Sequence, residues 1–517
     1  MKRRIVSLVL AAGMISALLG GCGGTESSSG TETGSSAAAE ETDSDTLDLD
    51  TEITIKMTNS GGVVDDADRI EELINEITEE EIGVTVDIEW VDIGTYMEQI
   101  NLMFSSQETC DLIMLMPTMY SSALNQNELM DITEYLDEYG QDIIDISGEY
   151  LDAFTYYEGI YGIPVTREKG GYAWVDMRLD ILEELDLVEE AESMTCWTDY
   201  YELLAKVAEA YPDITPCYVS SANQVGASLD GVYYIADEDW SDAIALDNLG
   251  DSNNLVYVDE DGNVQSYYTS DLFYNSALRA LDLFETGYVN TDAATNTDGG
   301  TVQCKNGQCF SWIASGESDN ELTTSMNSEY EMLCVPIMQY FATTYTTTRW
   351  GFAVPYTAEN PEAAVAFMNL LYTDSDLANL FVWGEEGVDW ELNDEGFAQY
   401  VEGTDSSSYH SVTWATGSVL DLTPWEGGLT LEETEEVVEN EEFSEYLGFV
   451  ADTSDVEQEV TSCVNVVNEY YDALFSGVAG DETESMFQEM SEKLEAAGIN
   501  DIVESYQTQL DEWLAEQ

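Results

Sequence analysis

Two α/β lobes, with the chain passing between them more than once, are the architecture this sequence predicts. Three observations predict it. The part able to fold, roughly 51–517, is too long for one ordinary domain. Strand-like and helix-like patterns alternate from Thr51 and again from Tyr172, as in a parallel sheet covered by helices. One low-complexity stretch, about 23–50, is the only linker, so no second break separates the lobes along the sequence.

The first element is not part of the fold. Met1-Lys-Arg-Arg4 is a basic start, Ile5 to Leu18 is apolar, and Leu19-Gly-Gly-Cys22 closes the run, which is too short to span a bilayer as a helix. Those last four residues resemble the lipobox of bacterial lipoproteins, in which the cysteine is diacylated and becomes the new N-terminus. Residues 1–21 are therefore expected to be a signal peptide and Cys22 a lipid anchor to the membrane. Gly23 to about Asp50 is built largely from Gly, Ser, Thr, Ala, Glu and Asp with no aromatic and no base, a composition that cannot bury enough surface to fold. Residues 22–50 are expected to tether a body that works at the outer face of the cytoplasmic membrane.

In the body, Thr51 to Met57 alternates polar and apolar residues as a strand does. Asp68 to Ile82 carries Ile70, Leu73, Ile74 and Ile77 at helical spacing, with Gly83 as a stop. Val84 to Trp90 reads as a strand, Tyr96 to Phe104 as a helix, and Asp111 to Met116 as a buried strand ended by Pro117. Later, Tyr172 to Val175 reads as a strand, Asp176 to Leu187 as a helix, and Trp197 to Tyr211 as another helix capped at Thr198. Tyr257 to Gln265 predicts a hairpin turning at Asp261-Gly262. Arg349 to Val354 predicts a returning strand, and Asn360-Pro-Glu-Ala-Ala364 opens a helix through Leu371. Beyond Gly480 the pattern is helical, with Met486, Met490 and Leu494 on one face.

Charge excludes several partners. With 13 basic against 106 acidic residues, net −93, phosphate neutralisation is out of reach, so no nucleic acid is expected. The acids are spread along the whole chain, as on a solvated surface. Arg167, Lys169, Arg178 and Arg349 are the cations that remain for a local anion site. A neutral or cationic ligand is the simpler expectation. His410 is the only histidine, which rules out a His-rich zinc site, and neither metal nor cofactor is expected. Seven cysteines remain beside Cys22 with no Cys-x-x-Cys, against a disulfide framework. Cys304 and Cys309 are close enough to pair around Lys-Asn-Gly-Gln. Asp259-Glu-Asp-Gly-Asn263 begins like a calcium loop but lacks the closing glutamate, so a plain turn is expected.

Several stretches resemble the extracellular solute-binding proteins of bacterial ABC importers. They are Tyr161-Gly-Ile-Pro164, Trp350-Gly-Phe-Ala-Val-Pro355, and Asn360-Pro-Glu-Ala-Ala through Leu371. Trp383-Gly-Glu-Glu-Gly-Val-Asp-Trp390 is similar to the "YGIEGxxY" segment of the large members, with Trp383 in place of the usual Tyr and Trp390 as the closing aromatic. Leu447 to Ser454, Val464 to Tyr470 and Leu494 to Leu514 are similar to a C-terminal module of one lipoprotein subgroup. The likeness runs collinearly over 51–517. It implies a periplasmic-binding-protein-like fold with a hinge and an inter-lobe ligand cleft, and lobes that close on a solute. It also implies delivery to the transmembrane subunits of an ABC permease, with an oligosaccharide as the usual cargo of large members. Expected boundaries are 51–165 for the first lobe with a returning segment about 345–380. The second lobe is expected at 166–340 with part of 381–517, and a helical module at 440–517.

A sugar cleft needs aromatic planes for C–H faces and polar side chains for hydroxyls. Open α/β sheets bind at the C-terminal ends of their strands. The candidates placed there are Asn59 and Ser60, Trp90, Tyr96, Thr118 and Tyr120 from the first lobe. Tyr172, Trp174, Asp176 and Trp312 come from the second, and Arg349, Trp350, Trp383 and Trp390 from the returning chain. No catalytic residue is expected. The alternatives are a secreted glycoside hydrolase, which needs only two suitably spaced carboxylates, and a peptide-binding lipoprotein of the same fold. There is no Gly-Lys dipeptide and hence no Walker loop, so the chain is not its own ATPase.

Overall fold

The structure is a computed structural model that describes residues 47, 49–58, 63, 64, 66–220, 232–234 and 238–517. The expected signal, tether and lipidated Cys22, and the candidates Asn59 and Ser60, lie outside these residues.

The chain opens with β1 (Thr51–Thr58), α1 (Ala67–Ile82), β2 (Val84–Val91), α2 (Ile93–Ser106), β3 (Leu112–Met114) and α3 (Met119–Asn125). Alternation in β1 buries Ile53, Ile55 and Met57, and the helical spacing of α1 buries Ile70 and Ile74 against them. Gly83 ends α1 in the left-handed conformation (φ 68°), its N–H bonded to the Thr78 carbonyl, as a glycine C-cap does. After a first passage through 164–170, the chain forms β4 (Gly171–Arg178), α4 (Trp197–Ala210) and β5 (Thr215–Tyr218). A hairpin of β6 (Val256–Val258) and β7 (Val264–Ser266), α5 (Asp271–Glu285), β8 (Cys309–Gly316) and β9 (Met332–Tyr340) follow.

A second passage, through 341–351, holds the short α6 (Thr344–Thr348) and leads to β10 (Phe352–Ala353), α7 (Pro361–Thr373) and α8 (Ser375–Trp383). The chain ends in α9 (Glu457–Phe475), α10 (Thr483–Ala497) and α11 (Ile499–Glu516).

Two four-stranded sheets result. The first runs β10-β3-β1-β2, with β1 parallel to both neighbours and β10 antiparallel to β3. The second runs β9-β4-β8-β5, in which β4 is antiparallel to both neighbours and β8 is parallel to β5. Each sheet has its own apolar core, one containing Ile53, Ile113, Phe154 and Phe367, the other Val175, Trp197, Tyr200 and Phe310. A third core joins β6, β7 and α5 to α9, α10 and α11 through Phe273, Phe475, Leu494 and Tyr506. No described helix is long and apolar enough to cross a membrane.

Three expectations are corrected. The helix expected from Asp176 begins only at Leu179, because β4 continues to Arg178. The returning strand expected over 349–354 shrinks to Phe352–Ala353, since Trp350 takes a left-handed backbone conformation (φ 63°) that breaks the extended run. The helix at 197 takes Cys196, not Thr198, as its N-cap.

The passages are tied to each other. Ile163 and Phe352 exchange backbone hydrogen bonds of 2.7 and 2.8 Å. Thr166 donates to the Gly417 carbonyl (3.0 Å) and accepts from the Val419 N–H (3.1 Å), so segment 416–419 runs beside the first passage.

Candidate functional site

The C-terminal end of β3 is where the second passage meets the first sheet. The Trp350 N–H donates to the Leu115 carbonyl (2.6 Å), and the Leu115 N–H donates to the Gly351 carbonyl (2.7 Å). This clamp places Trp350 at φ 63°, a left-handed conformation that is costly for a bulky residue. Its half-buried ring lies 4.2 Å from that of Trp414, tilted by 49°. Just beyond β3, the Met119 N–H closes a tight turn on the Met116 carbonyl (3.1 Å). Its third residue, the exposed Thr118, sits at φ 75°, where a glycine is usual.

Trp414 sits in a 3-10 turn (Thr413–Ala415) within a segment that borders this end of the sheet. His410 pairs with Val63, five residues beyond the end of β1. Ser411 donates to the Val382 carbonyl at the end of α8 (2.7 Å), Trp414 meets Trp350, and Gly417 reaches the first passage. A second aromatic group stands on the same segment. Trp425 lies 4.8 Å from both Trp383 and Tyr400, and Tyr400 is 6.5 Å from His410. The Trp383 indole N–H donates to the Thr423 carbonyl (2.9 Å), fixing the ring orientation. Trp414, Trp425 and Tyr400 are half-buried, and sequence reasoning missed them all. The available signal was Trp within Ser/Thr/Gly-rich chain, Ser411-Val-Thr-Trp414 and Thr423-Pro-Trp425-Glu-Gly, where no apolar periodicity calls for a core residue.

The remaining candidates divide by burial. Trp90 is half-buried at the end of β2, 6.5 Å from Phe381 of α8. Tyr96 is fully buried: its hydroxyl donates towards the Lys56 (2.9 Å) and Met114 (2.8 Å) carbonyls and accepts from the Met114 N–H. It braces β1 against β3 and offers nothing to a ligand. Tyr120 is buried edge-on against Phe154 (5.1 Å), with no hydrogen-bond partner for its hydroxyl among the described residues. Burial pushes its hydroxyl pKa above the usual phenol range. Trp390 is buried and donates to the Gly384 carbonyl (2.9 Å).

On β4, Tyr172, Trp174 and Asp176 share one face by alternation. Tyr172 and Trp174 are half-buried with rings 5.0 Å apart, and Trp174 donates to the Gly316 carbonyl (2.9 Å). Asp176 and Trp312 are each 1% exposed, in a small core with Cys304, Cys309, Met332 and Cys334. Asp176 accepts from the Asn320 amide (2.7 Å), and desolvation pushes its carboxyl up to about 7. These two positions are core.

Three of the four cations considered for an anion site meet at the passages. The Lys169 ammonium donates to the Arg349 carbonyl (3.4 Å), while Arg167 forms an ion pair with Glu317. Burial draws Arg167 down to about 10 and Arg349 to about 9, and burial with the neighbouring Arg167 and Arg349 draws Lys169 well below the usual ammonium range. Arg178 lies apart, paired with Asp180 and stacked 3.8 Å over Tyr330. Carboxylates Glu168 and Glu441 sit among the three cations but are bonded to Ser318 and to the Lys169 and Gly170 N–H groups. Glu317, Glu168 and Glu441 thus share this region with the three cations.

Asp259 accepts from the N–H groups of Asp261 (3.0 Å) and Asn263 (2.9 Å), which makes Asp259–Asn263 a self-closed hairpin turn. All seven described cysteines are free thiols, Cys304 and Cys309 included.

A family model described as bacterial extracellular solute-binding protein matches residues 62–377, and one described as a domain of unknown function matches residues 445–515. Over 472 residues the chain is 22% identical to a carbohydrate ABC transporter substrate-binding protein of Streptococcus pneumoniae, covering 89% of this chain and 91% of that one. The fold matches the N-glycan transport solute binding protein of Streptococcus pneumoniae with a TM-score of 0.77 at 20% identity, over 90% of this chain and 99% of that one. The crystal structure of that protein in complex with Man1GlcNAc matches at 0.74, with 20% identity, over 90% and 100% of the two chains. An HMO-binding, ABC-transporter-associated solute binding protein from Bifidobacterium longum infantis matches at 0.61 and 16% identity, over 90% and 99%.

Proposed function

This chain belongs to the bacterial extracellular solute-binding protein family, and we propose that it is a lipid-anchored receptor handing an oligosaccharide to an ABC importer. The observation that carries the ligand class is the Trp350–Trp414 pair, half-buried at the C-terminal end of the first sheet beside both passages. Indole faces at that place suit the C–H faces of sugar rings, and Trp90, Thr118, Tyr172 and Trp174 supply further partly exposed partners. Relatives named for carbohydrate and N-glycan transport support the same class. The small number of cations in the chain favours an uncharged sugar.

In this reading Cys22 holds the protein at the membrane and 23–50 gives it reach. The lobes are 51–165 with 345–380, and 166–340 with part of the later chain, and 440–517 is a separate helical module. The permease subunits would receive the closed form, and no chemistry is done on the sugar.

Thermal unfolding of the protein from residue 23 onward, against neutral oligosaccharides, peptides and glycoside-cleavage products, tests this. A ligand at a hundred times its Kd should stabilise the fold by about 2.7 kcal/mol. Stabilisation by an intact oligosaccharide supports the receptor; release of shorter sugars would replace it with the hydrolase, and a response to peptides alone would change the ligand class.

A further inference from the structure

The C-terminal segment 441–451 touches both passages. At the first passage, the Glu441 carboxylate accepts the N–H groups of Lys169 (2.7 Å) and Gly170 (2.9 Å). Gly170 has no Cβ, and one placed there would lie 2.5 Å from that carboxylate, so glycine permits the approach. At the second passage, the Ala342 N–H donates to the Glu442 carbonyl (2.7 Å) and the Ser444 N–H donates back to the Ala342 carbonyl (2.8 Å). The Gly448 N–H then donates to the Thr344 hydroxyl (2.9 Å).

The same segment grips elements flanking both sheets. Phe443 meets Tyr150 edge-on at 4.9 Å, and the Asn125 amide of α3 donates to the Ala451 carbonyl (3.2 Å). Gly448, at φ 89°, passes so close to the Asp152 carbonyl that a Cβ would sit 2.6 Å from it. On the other side, the Ser444 hydroxyl is hydrogen-bonded to Asp247. Immediately beyond, Phe449 packs against Tyr506 and Trp513 of α11, and Asp452 exchanges hydrogen bonds of 2.8 and 2.9 Å with Gln509. Glu441 alone in the segment takes two backbone N–H groups with one side chain, one from each of two successive residues of the first passage.

We propose that 441–451 is a strap across the hinge, and that the helices α9, α10 and α11 behind it serve to anchor the strap. Lobe closure in this fold turns about the passages. A segment bonded to both passages, to the first lobe and to the loop at Asp247 limits that turn. The matched domain of unknown function at 445–515 thereby acquires a role, setting how far and how readily the lobes part, without touching the solute.

The test is read without ligand, so it stands apart from the oligosaccharide reading. Spin labels at the exposed Glu76 of α1 and Glu209 of α4 report the lobe-to-lobe distance distribution in the full chain. Glu441→Ala should add a second, more widely separated population, and Glu441→Gln, which keeps an acceptor of the same shape, a smaller one. Leu182→Ala, which cuts into the second core, where the strap places no residue, should lower Tm and leave the distribution unchanged. Unchanged distributions in both Glu441 variants would overturn the strap, as would an equal broadening in Leu182→Ala. Should Glu441→Ala fail to fold, Glu441→Gln decides.

Discussion

The rim of the first sheet and the covered face of the second were given similar candidate residues by the sequence, and the structure treats them in opposite ways. In the first sheet the central strand has parallel neighbours, and the chain leaves their ends through turns and passages. Trp350, Thr118 and the unexpected Trp414 therefore stay partly exposed. In the second, β4 is central and antiparallel to both neighbours, and the helix Gly300–Lys305 lies on its partner β8 so closely that a Cβ at Gly300 would fall 2.2 Å from the Trp312 ring. Trp312 and Asp176 are consequently buried. An aromatic residue is available to a ligand because of where its strand ends.

The strongest challenge to this contrast is Trp312→Ala. Emptying so large a buried site should cost about 3–5 kcal/mol in urea unfolding, with ligand affinity of the folded fraction unchanged; a loss of affinity without destabilisation would put Trp312 in the cleft after all. At the rim the balance should reverse. Trp414→Ala is expected to weaken oligosaccharide binding by about ten- to a hundredfold in calorimetry while leaving stability within about 1 kcal/mol.

The buried face should also carry a pH signature that the rim lacks. The Asp176 carboxyl is held near 7 against an ordinary value of 3.8, so the fold favours its neutral form. Its contribution is present in full below about pH 4 and is lost as pH rises through about 7. Asp176→Asn should therefore raise Tm relative to the parent at pH 8 and little at pH 4; a difference independent of pH would contradict the burial argument. The smallest effect belongs to Thr118→Gly, which relieves a left-handed β-branched residue and should stabilise the protein by up to about 1 kcal/mol, read by the same unfolding curves.

Much of the first sheet was legible because burial there follows simple periods. Ile53, Ile55 and Met57 alternate, Ile70 and Ile74 recur at helical spacing, and Gly83 stops the helix where expected. The second sheet misled at Asp176. An acidic residue before an apolar run reads as a helix cap, whereas here it is a mid-strand carboxyl satisfied by Asn320 across the fold. The Thr343 to Thr348 run gave no helical signal, since β-branched residues disfavour helices; a capping box between Thr343 and Thr346 forms the short helix α6 nonetheless. Segment 383–430 was opaque for a different reason. Its rings are placed by long-range contacts such as Val63 with His410 and Trp350 with Trp414, which leave no period in the local sequence.

The pairing of β10 with β3 has a consequence for biogenesis. The first sheet lacks its edge strand until Phe352 and Ala353 have been synthesised, and the core beneath it lacks Phe367 and Phe381 for longer still. The strands of this sheet that are made first are thus among the last parts of it to become stable. Contacts so distant in sequence form slowly, so β1, β2 and β3 remain an unfinished sheet while every strand of the second sheet is being made.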